Sequence, residues 1–171
     1  SKDFWFLIPQ TKEAILIAAR RFQEKLKGES NQDQQIKKLL SKTELEIKNK
    51  IVVLILEKNI DFNLIQKIQN KVNQEKGTFH LLEGSDNYTL ITQEKYLPLI
   101  TFNQINLQKN LALIKLKSPQ EIETLKGVIA YLTTLFAENG VNIPQFFSCW
   151  TETVFVIEVK DVNKVINFLD F

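Results

Sequence analysis

The 171-residue chain has no methionine, a single cysteine (Cys149), a single histidine (His80), five glycines and four prolines, and its net charge is only +2. Each scarcity closes off a class of protein. One cysteine rules out an internal disulfide framework and agrees with a reducing compartment, so the cytoplasm is the expected location. The lone His80, on a predicted strand with no Cys, Asp or Glu at ligand spacing, leaves little for a metal site or a histidine-based triad. Five glycines include no phosphate-cradling cluster, and no cofactor is expected. No apolar run approaches the length of a membrane span, and the opening Phe4-Trp5-Phe6-Leu7-Ile8 is too short and wrongly flanked for a span or a signal peptide. Residues 1–60 hold 12 Lys+Arg against 8 Asp+Glu and residues 61–171 hold 10 against 12, a weak basis for nucleic-acid binding. The missing initiator methionine points to a trimmed or partial N-terminus.

What the chain does have is apolar residues, 44% of the total, arranged in a repeat. Leu45 to Leu56 aligns without a gap on Ile105 to Leu116 at an offset of 60, and positions 45, 47, 51, 53, 54 and 56 all find apolar partners. Each copy has a short alternating stretch, a polar Lys/Asn break and a nearly continuous apolar strand. The elements that follow repeat as well. In the first copy Asp61 is placed to N-cap a helix bearing Leu64, Ile65, Ile68 and Val72, followed by strands near Thr78–Leu82 and Tyr88–Thr92 with a Gly84 to Asn87 turn. In the second, Val128, Tyr131, Leu132, Leu135 and Phe136 form an amphipathic stripe that stops at Asn139-Gly140. Strands near Ile143–Cys149 and Val154–Val159 come next, and then Asp161 is placed to cap a short helix with Val162, Val165, Ile166 and Leu169.

The fold class expected is α+β: two tandem ferredoxin-like βαββαβ units with antiparallel sheets (43–104, degenerate, and 105–171) behind a helical N-terminal segment (1–42). Within that segment, Thr11–Lys27 reads as a helix with Ile15, Ala18, Ala19, Phe22 and Leu26 inward. A polar loop over Gly28–Asp33 and a shorter helix over Gln34–Ser41 follow. Arg20 and Arg21 read as a solvated flank. The strands Ile51–Leu56, Leu111–Ile114 and Val154–Ile157 barely alternate, which implies burial on both faces, by the sister unit, a second chain or both. Phe146, Phe147 and Trp150 are candidates for that contact, with Trp150 as an ordinary core aromatic the alternative.

Three segments, in this order, carry a resemblance to a known family: Leu125-Lys126-Gly127-Val128-Ile129, Glu138-Asn139-Gly140-Val141-Asn142-Ile143, and Ser148 to Thr153 leading into an apolar strand and Asp161. Together they resemble the ACT domain, a small-molecule-sensing module, and look closest to prokaryotic, largely archaeal, members. The resemblance implies a ligand site for an amino acid or similar small carboxylate at Leu125, Lys126, Gly127, Val128 and Ile129, with Asn142 on the neighbouring strand. The residues themselves agree, since a loop re-entering as a helix leaves N–H groups for a carboxylate and glycine allows close approach. Two departures stand out: Lys126 replaces the family's usual proline, and the chain ends where a fourth strand is due. That strand is missing or comes from another segment such as Thr43–Lys48. The first unit's short loop, Glu57–Asp61, has no glycine and is expected to be a structural partner.

Cys149 reads as a partly buried structural thiol, and Glu121 and Glu123 as solvated, so no catalytic role is expected. The leading expectation is a non-catalytic regulatory protein, homodimeric, with a regulated enzyme or other protein as partner and neither membrane nor nucleic acid. Ligand would favour one arrangement of the two units. The alternatives are a ligand-free interaction module, the sensing part of a transcriptional regulator, or that of an amino-acid kinase.

Overall fold

A computed structural model describes residues 12–170, and within the first helix the side chains of 15–21 and of 31 onward. The apolar opening Phe4 to Ile8, and the inward placement expected of Phe22 and Leu26, lie outside the described residues. The elements run α1 (Lys12–Leu40), β1 (Glu44–Glu57), α2 (Phe62–Gln74), β2 (Phe79–Glu83), β3 (Asn87–Gln93), a 3-10 helix (Glu94–Leu99), β4 (Gln104–Lys117), a 3-10 turn (Gln120–Glu123), α3 (Val128–Glu138), β5 (Gln145–Cys149), β6 (Glu152–Glu158), a 3-10 turn (Val159–Asp161) and α4 (Val162–Phe168). All six strands form one antiparallel sheet in the order β2-β3-β1-β4-β6-β5.

The centre of the sheet is the pairing of β1 with β4, each 14 residues long, well beyond the usual strand. Both strands are interrupted at the same repeat position, by Lys50 at φ 57° and Asn110 at φ 59°. These left-handed residues occupy the polar breaks, and the register shifts beside them. The two halves of each strand therefore serve different units. Val52, Leu54 and Leu56 line the first unit's core, whereas Ile47 crosses to pack in the second unit opposite Ile114. Leu107 does the reverse, packing with the first unit's core opposite Leu54. The fourth strand of the second unit is thus Glu44–Lys48, paired with Leu113–Lys117, and that of the first is the beginning of β4. At the pseudo-twofold centre, Ile51 pairs with Leu111, its own counterpart in the repeat.

Three apolar clusters result. Ile65, Ile68 and Val72 of α2 cover one face of the first unit, where the 3-10 helix Glu94–Leu99 with buried Tyr96 stands in place of a second α-helix. In the second unit Val128, Leu132 and Phe136 of α3, Val165 of α4 and Ile36, Leu39 and Leu40 of α1 cover the equivalent face, with Phe136 stacked on Phe155 at 4.5 Å between ring centroids. The third cluster, Ile51, Val53, Ile91, Leu111, Leu113, Val154 and Val156, lies on the opposite face of the sheet. It is buried because the sheet curls: His80 on β2 and Phe147 on β5, at the two edges, meet with ring centroids 4.8 Å apart and planes tilted by 58°. Burial on both faces explains why these strands do not alternate. Phe147 makes the contact between units. Phe146 instead lies against Phe155 and is 40% exposed, and Trp150 is 69% exposed, so it is not a core aromatic.

The N-terminal segment differs from expectation. α1 is one helix of 29 residues, running through Gly28–Asp33 without a loop. A single interior glycine costs about 1 kcal/mol, which is less than creating two new helix ends would cost, and the C-terminal half is anchored in the second unit's core. Ile15, Ala18 and Ala19, expected to face inward, are exposed. Asp161 precedes α4 but does not cap it. Its backbone is in the αR region, unlike the extended N-cap, and its carboxylate takes Lys164 Nζ at 2.6 Å. Among the described residues no helix is long and apolar enough to cross a membrane.

The seam between the sheet edges contains a titrating group. Burial pushes His80 below its ordinary 6.5, with Glu152 opposing that shift and Lys115 and Lys48 adding to it. The folded state favours neutral His80, so its contribution is fully present above pH 6.5 and is lost as pH falls through the lowered value. Glu46, held below its usual 4.5 chiefly by the Lys115 hydrogen bond, is lost only at lower pH. Chemical denaturation between about pH 7.5 and 5.5 should show stability falling in the wild type and a flatter profile in His80→Phe.

Candidate functional site

The two helices that follow the central strands begin in opposite ways. α2 starts after Asp61, whose extended backbone (φ −81°, ψ 107°) lets its carboxylate accept from the Asn63 N–H at 2.9 Å. The anion that a helix N-terminus attracts is there supplied by the chain itself. α3 starts after Gly127, at φ 85°, and no side chain caps it. Its first N–H groups are left for an outside acceptor.

At this uncapped end lies a cleft of about 340 Å³. Leu125, Gly127, Val128 and Ile129 line it, together with Ile122, Glu123, Ala130, Ser148 and Trp150. Four of the six expected site residues are therefore brought together. Lys126 faces a neighbouring cleft against α1, and Asn142 is exposed and lies outside the lining. The reason for the latter is directional. Asn142 follows the C-terminus of α3, about 16 Å from its start for a helix of 11 residues. β5 then runs back along the helix, so that Ser148 at its end and Trp150 in the following turn reach Gly127. Trp150 is held outward by a left-handed backbone, φ 52°. The antiparallel return of a strand after its helix was the signal that would have pointed to Ser148 and Trp150. Cys149 between them is exposed, not a partly buried structural thiol.

The loop that leads to Gly127 is tied at one end to Thr43, just after α1, and at the other to α1 itself. Thr43 Oγ1 donates to the Leu39 carbonyl at 3.2 Å, so the 3.0 Å contact between Thr43 and buried Ser118 is completed by the Ser118 hydroxyl donating. Ser118 N–H reaches the Thr151 carbonyl at 2.9 Å. At the far end Gln32 Nε2 donates to the Lys126 carbonyl at 2.8 Å. A Cβ on Gly127 would stand 2.6 Å from that same Nε2 and 3.7 Å from Ile36 Cδ1. The missing side chain thus makes room for α1, whatever else approaches from the cleft.

The cleft offers backbone donors at one end, the Glu123 carboxylate as its one charged lining group, the Ser148 hydroxyl, and an apolar wall of Ile122, Leu125, Val128, Ile129 and Trp150. Such a set suits a small molecule that carries an anionic group, a cationic group and an apolar body.

No protein-family model matches the chain, and no curated protein matches it in sequence. Its structure is similar to that of aspartate kinase from Clostridium acetobutylicum, described as an allosteric enzyme, with a TM-score of 0.56 at 19% identity over 73% of this chain. This covers only 33% of that kinase. The regulatory subunit of aspartate kinase from Thermus flavus matches with a TM-score of 0.55 at 13% identity, over 77% of this chain and 96% of that one. The ligand-free regulatory subunit from Thermus thermophilus matches with a TM-score of 0.53 at 10% identity, over 75% of this chain and 97% of that one. At these identities the likeness defines the fold: the chain has the ACT-like architecture of the regulatory parts of aspartate kinases.

Gly127→Ala should lower the melting temperature by about 2 to 8 °C through left-handed strain alone, and further through displacement of Gln32. Gly140→Ala, at φ 64° with no atom within 4 Å of the added Cβ, carries the strain without the collision. The difference between the two variants in thermal unfolding isolates the contact with α1.

Proposed function

We propose that this chain is a non-catalytic regulatory module, working in the cytoplasm, that binds an amino acid or similar small amphoteric carboxylate at the start of α3. The observation that carries the reading is the contrast between equivalent helix ends, one closed by Asp61 and the other opened by Gly127 onto a lined cleft. The ligand's carboxylate would take the N–H groups of Gly127 to Ile129, its ammonium would face Glu123, and its side chain would lie against Leu125 and Trp150. Lys126 stands on the α1 side of the loop and contributes its backbone, and Asn142 has no direct part. The likeness to regulatory parts of aspartate kinases supports a sensing role, and the sensing part of an amino-acid kinase is its narrower form.

The same face supports a homodimer. β5 is an edge strand, and beside it Trp150, Phe146 and Ile129 are exposed next to a helix whose outer positions Ala130, Thr133, Thr134 and Ala137 carry no charge. A second copy seated there would close the cleft. Sedimentation should find a dimer that Trp150→Lys converts to a monomer, and a monomeric wild type would remove this part of the proposal.

A second reading, an interaction module without a ligand, is favoured by α1, where Ile15, Leu16 and Ile17 are each more than half exposed. Thermal unfolding with each of the twenty amino acids at millimolar concentration separates the two. A ligand at about 100 times its Kd adds about 2.7 kcal/mol, and each kcal/mol moves the melting temperature by about 2–4 °C. A selective rise for one chemical group of amino acids is expected, smaller for N-acetylated and amidated forms. No rise with any of them would overturn the ligand-binding reading and leave the interaction module.

A further inference from the structure

We infer that Gln32 of α1 is a positioning residue of the cleft: through the Lys126 carbonyl it aims and polarises the Gly127 N–H, so that the docked state of α1 sets carboxylate affinity. The inference rests on the ligand-binding reading above and adds to it the element through which the site is regulated.

The argument starts from one peptide unit. The described peptide bonds are all trans, so the Lys126 carbonyl and the Gly127 N–H point in opposite directions from the same plane. Gln32 holds the carbonyl on the α1 side at 2.8 Å. The N–H is thereby turned away from α1, and Gly127 itself lines the cleft. No described backbone or side-chain group accepts from it. Hydrogen bonding at one end of a peptide unit strengthens donation at the other, so the same contact improves the donor as well as directing it.

Among the described residues, the Gln32 amide makes the side-chain hydrogen bond to this peptide. Between its tied ends the loop packs loosely on α1, leaving two open clefts of about 470 and 330 Å³ on that side. Gly127 has no side chain to anchor, and its left-handed backbone is one that glycine leaves easily. α1 supplies the fixed reference because Ile36, Leu39 and Leu40 are sunk in the core one to two turns beyond Gln32. Its other half, with residues 15–21 exposed, belongs to the same continuous helix, through which a partner's contact could reach Gln32. By reciprocity, carboxylate bound at the cleft stabilises the docked α1 to the same degree.

The test uses the full chain, the amino acid among the twenty that binds best by calorimetry, and that amino acid's primary amide. Gln32→Met keeps the length and removes the donor, whereas Gln32→Arg restores one. Gln32→Met should weaken the amino acid by about 5- to 10-fold and leave the amide's weaker binding unchanged, with a fall in melting temperature no larger than the difference between Gly127→Ala and Gly140→Ala. Gln32→Arg should return most of the affinity. Equal affinity in Gln32→Met, or equal losses for the acid and its amide, would overturn the role of Gln32 while leaving the cleft as the binding site. A lowered melting temperature without carboxylate selectivity would reduce Gln32 to a structural contact. Failure of all twenty amino acids to bind the wild type would remove the ligand-binding reading and this inference together.

Discussion

Antiparallel pairing of β1 with β4 is the constraint on which everything else depends. Because each strand crosses from one unit to the other at its left-handed residue, neither unit owns four strands, and neither is complete without the other's segment. The exchange also commits the sheet to its curl, since the residues flanking the Ile51–Leu111 pair feed a cluster shared by both units. Sliding one unit over the other would break a ladder running the length of two 14-residue strands, whose buried N–H and C=O groups would then be unpaired. A ligand that worked by rearranging the two units, the mechanism expected from a tandem of independent domains, would have to overcome that. The weaker joints lie outside the sheet, where the loop meets α1 and where β5 and the turn at Trp150 face outward, and regulation is cheapest there.

The sheet was largely legible in the sequence because repetition and alternation are properties of local side chains. The offset of 60 placed both central strands, and the polar break in each marked the position where the backbone turns left-handed. The source of the fourth strand was half readable: a strand from Thr43–Lys48 was one of two alternatives, the other being that it was missing, and the pairing of Glu44–Lys48 with Leu113–Lys117 decides for the first. α1 was misread for the opposite reason. Its polar middle, from Gly28 to Gln35, resembles a loop in composition, and only the anchoring of Ile36, Leu39 and Leu40 against α3 and α4 makes the helix worth continuing. The curl was half readable: the loss of alternation announced burial on both faces but not that His80 would meet Phe147 from the far edge.

The cleft was legible to the extent that its residues are contiguous. Leu125 to Ile129 form one loop-to-helix joint, so glycine and spacing were enough to mark it. Ser148 and Trp150 join through the return direction of β5, and Gln32 through a hydrogen bond to a residue 94 positions away. No local pattern encodes such a contact. Asn142 failed to join because proximity in sequence to a helix's C-terminus is distance from its N-terminus.

The repeat then acts as an internal control on the chemistry. Both helices leave the same central strands and meet the same need, unpaired N–H groups at a positive dipole end. In the first unit the loop is short and Asp61 answers from two residues before the Asn63 N–H, an intramolecular carboxylate that an external one must displace at a large entropic disadvantage. In the second unit the longer loop removes any such side chain and substitutes Gly127, then spends its extra length reaching Ser118's anchor at Thr43 and Gln32's amide on α1. A loop selected only to close a fold has no use for that detour, since the Asp61 solution is shorter and caps better. The added length is accounted for if an open N-terminus and a connection to α1 are both required, which is what a site that senses a carboxylate and reports it to the helix would need.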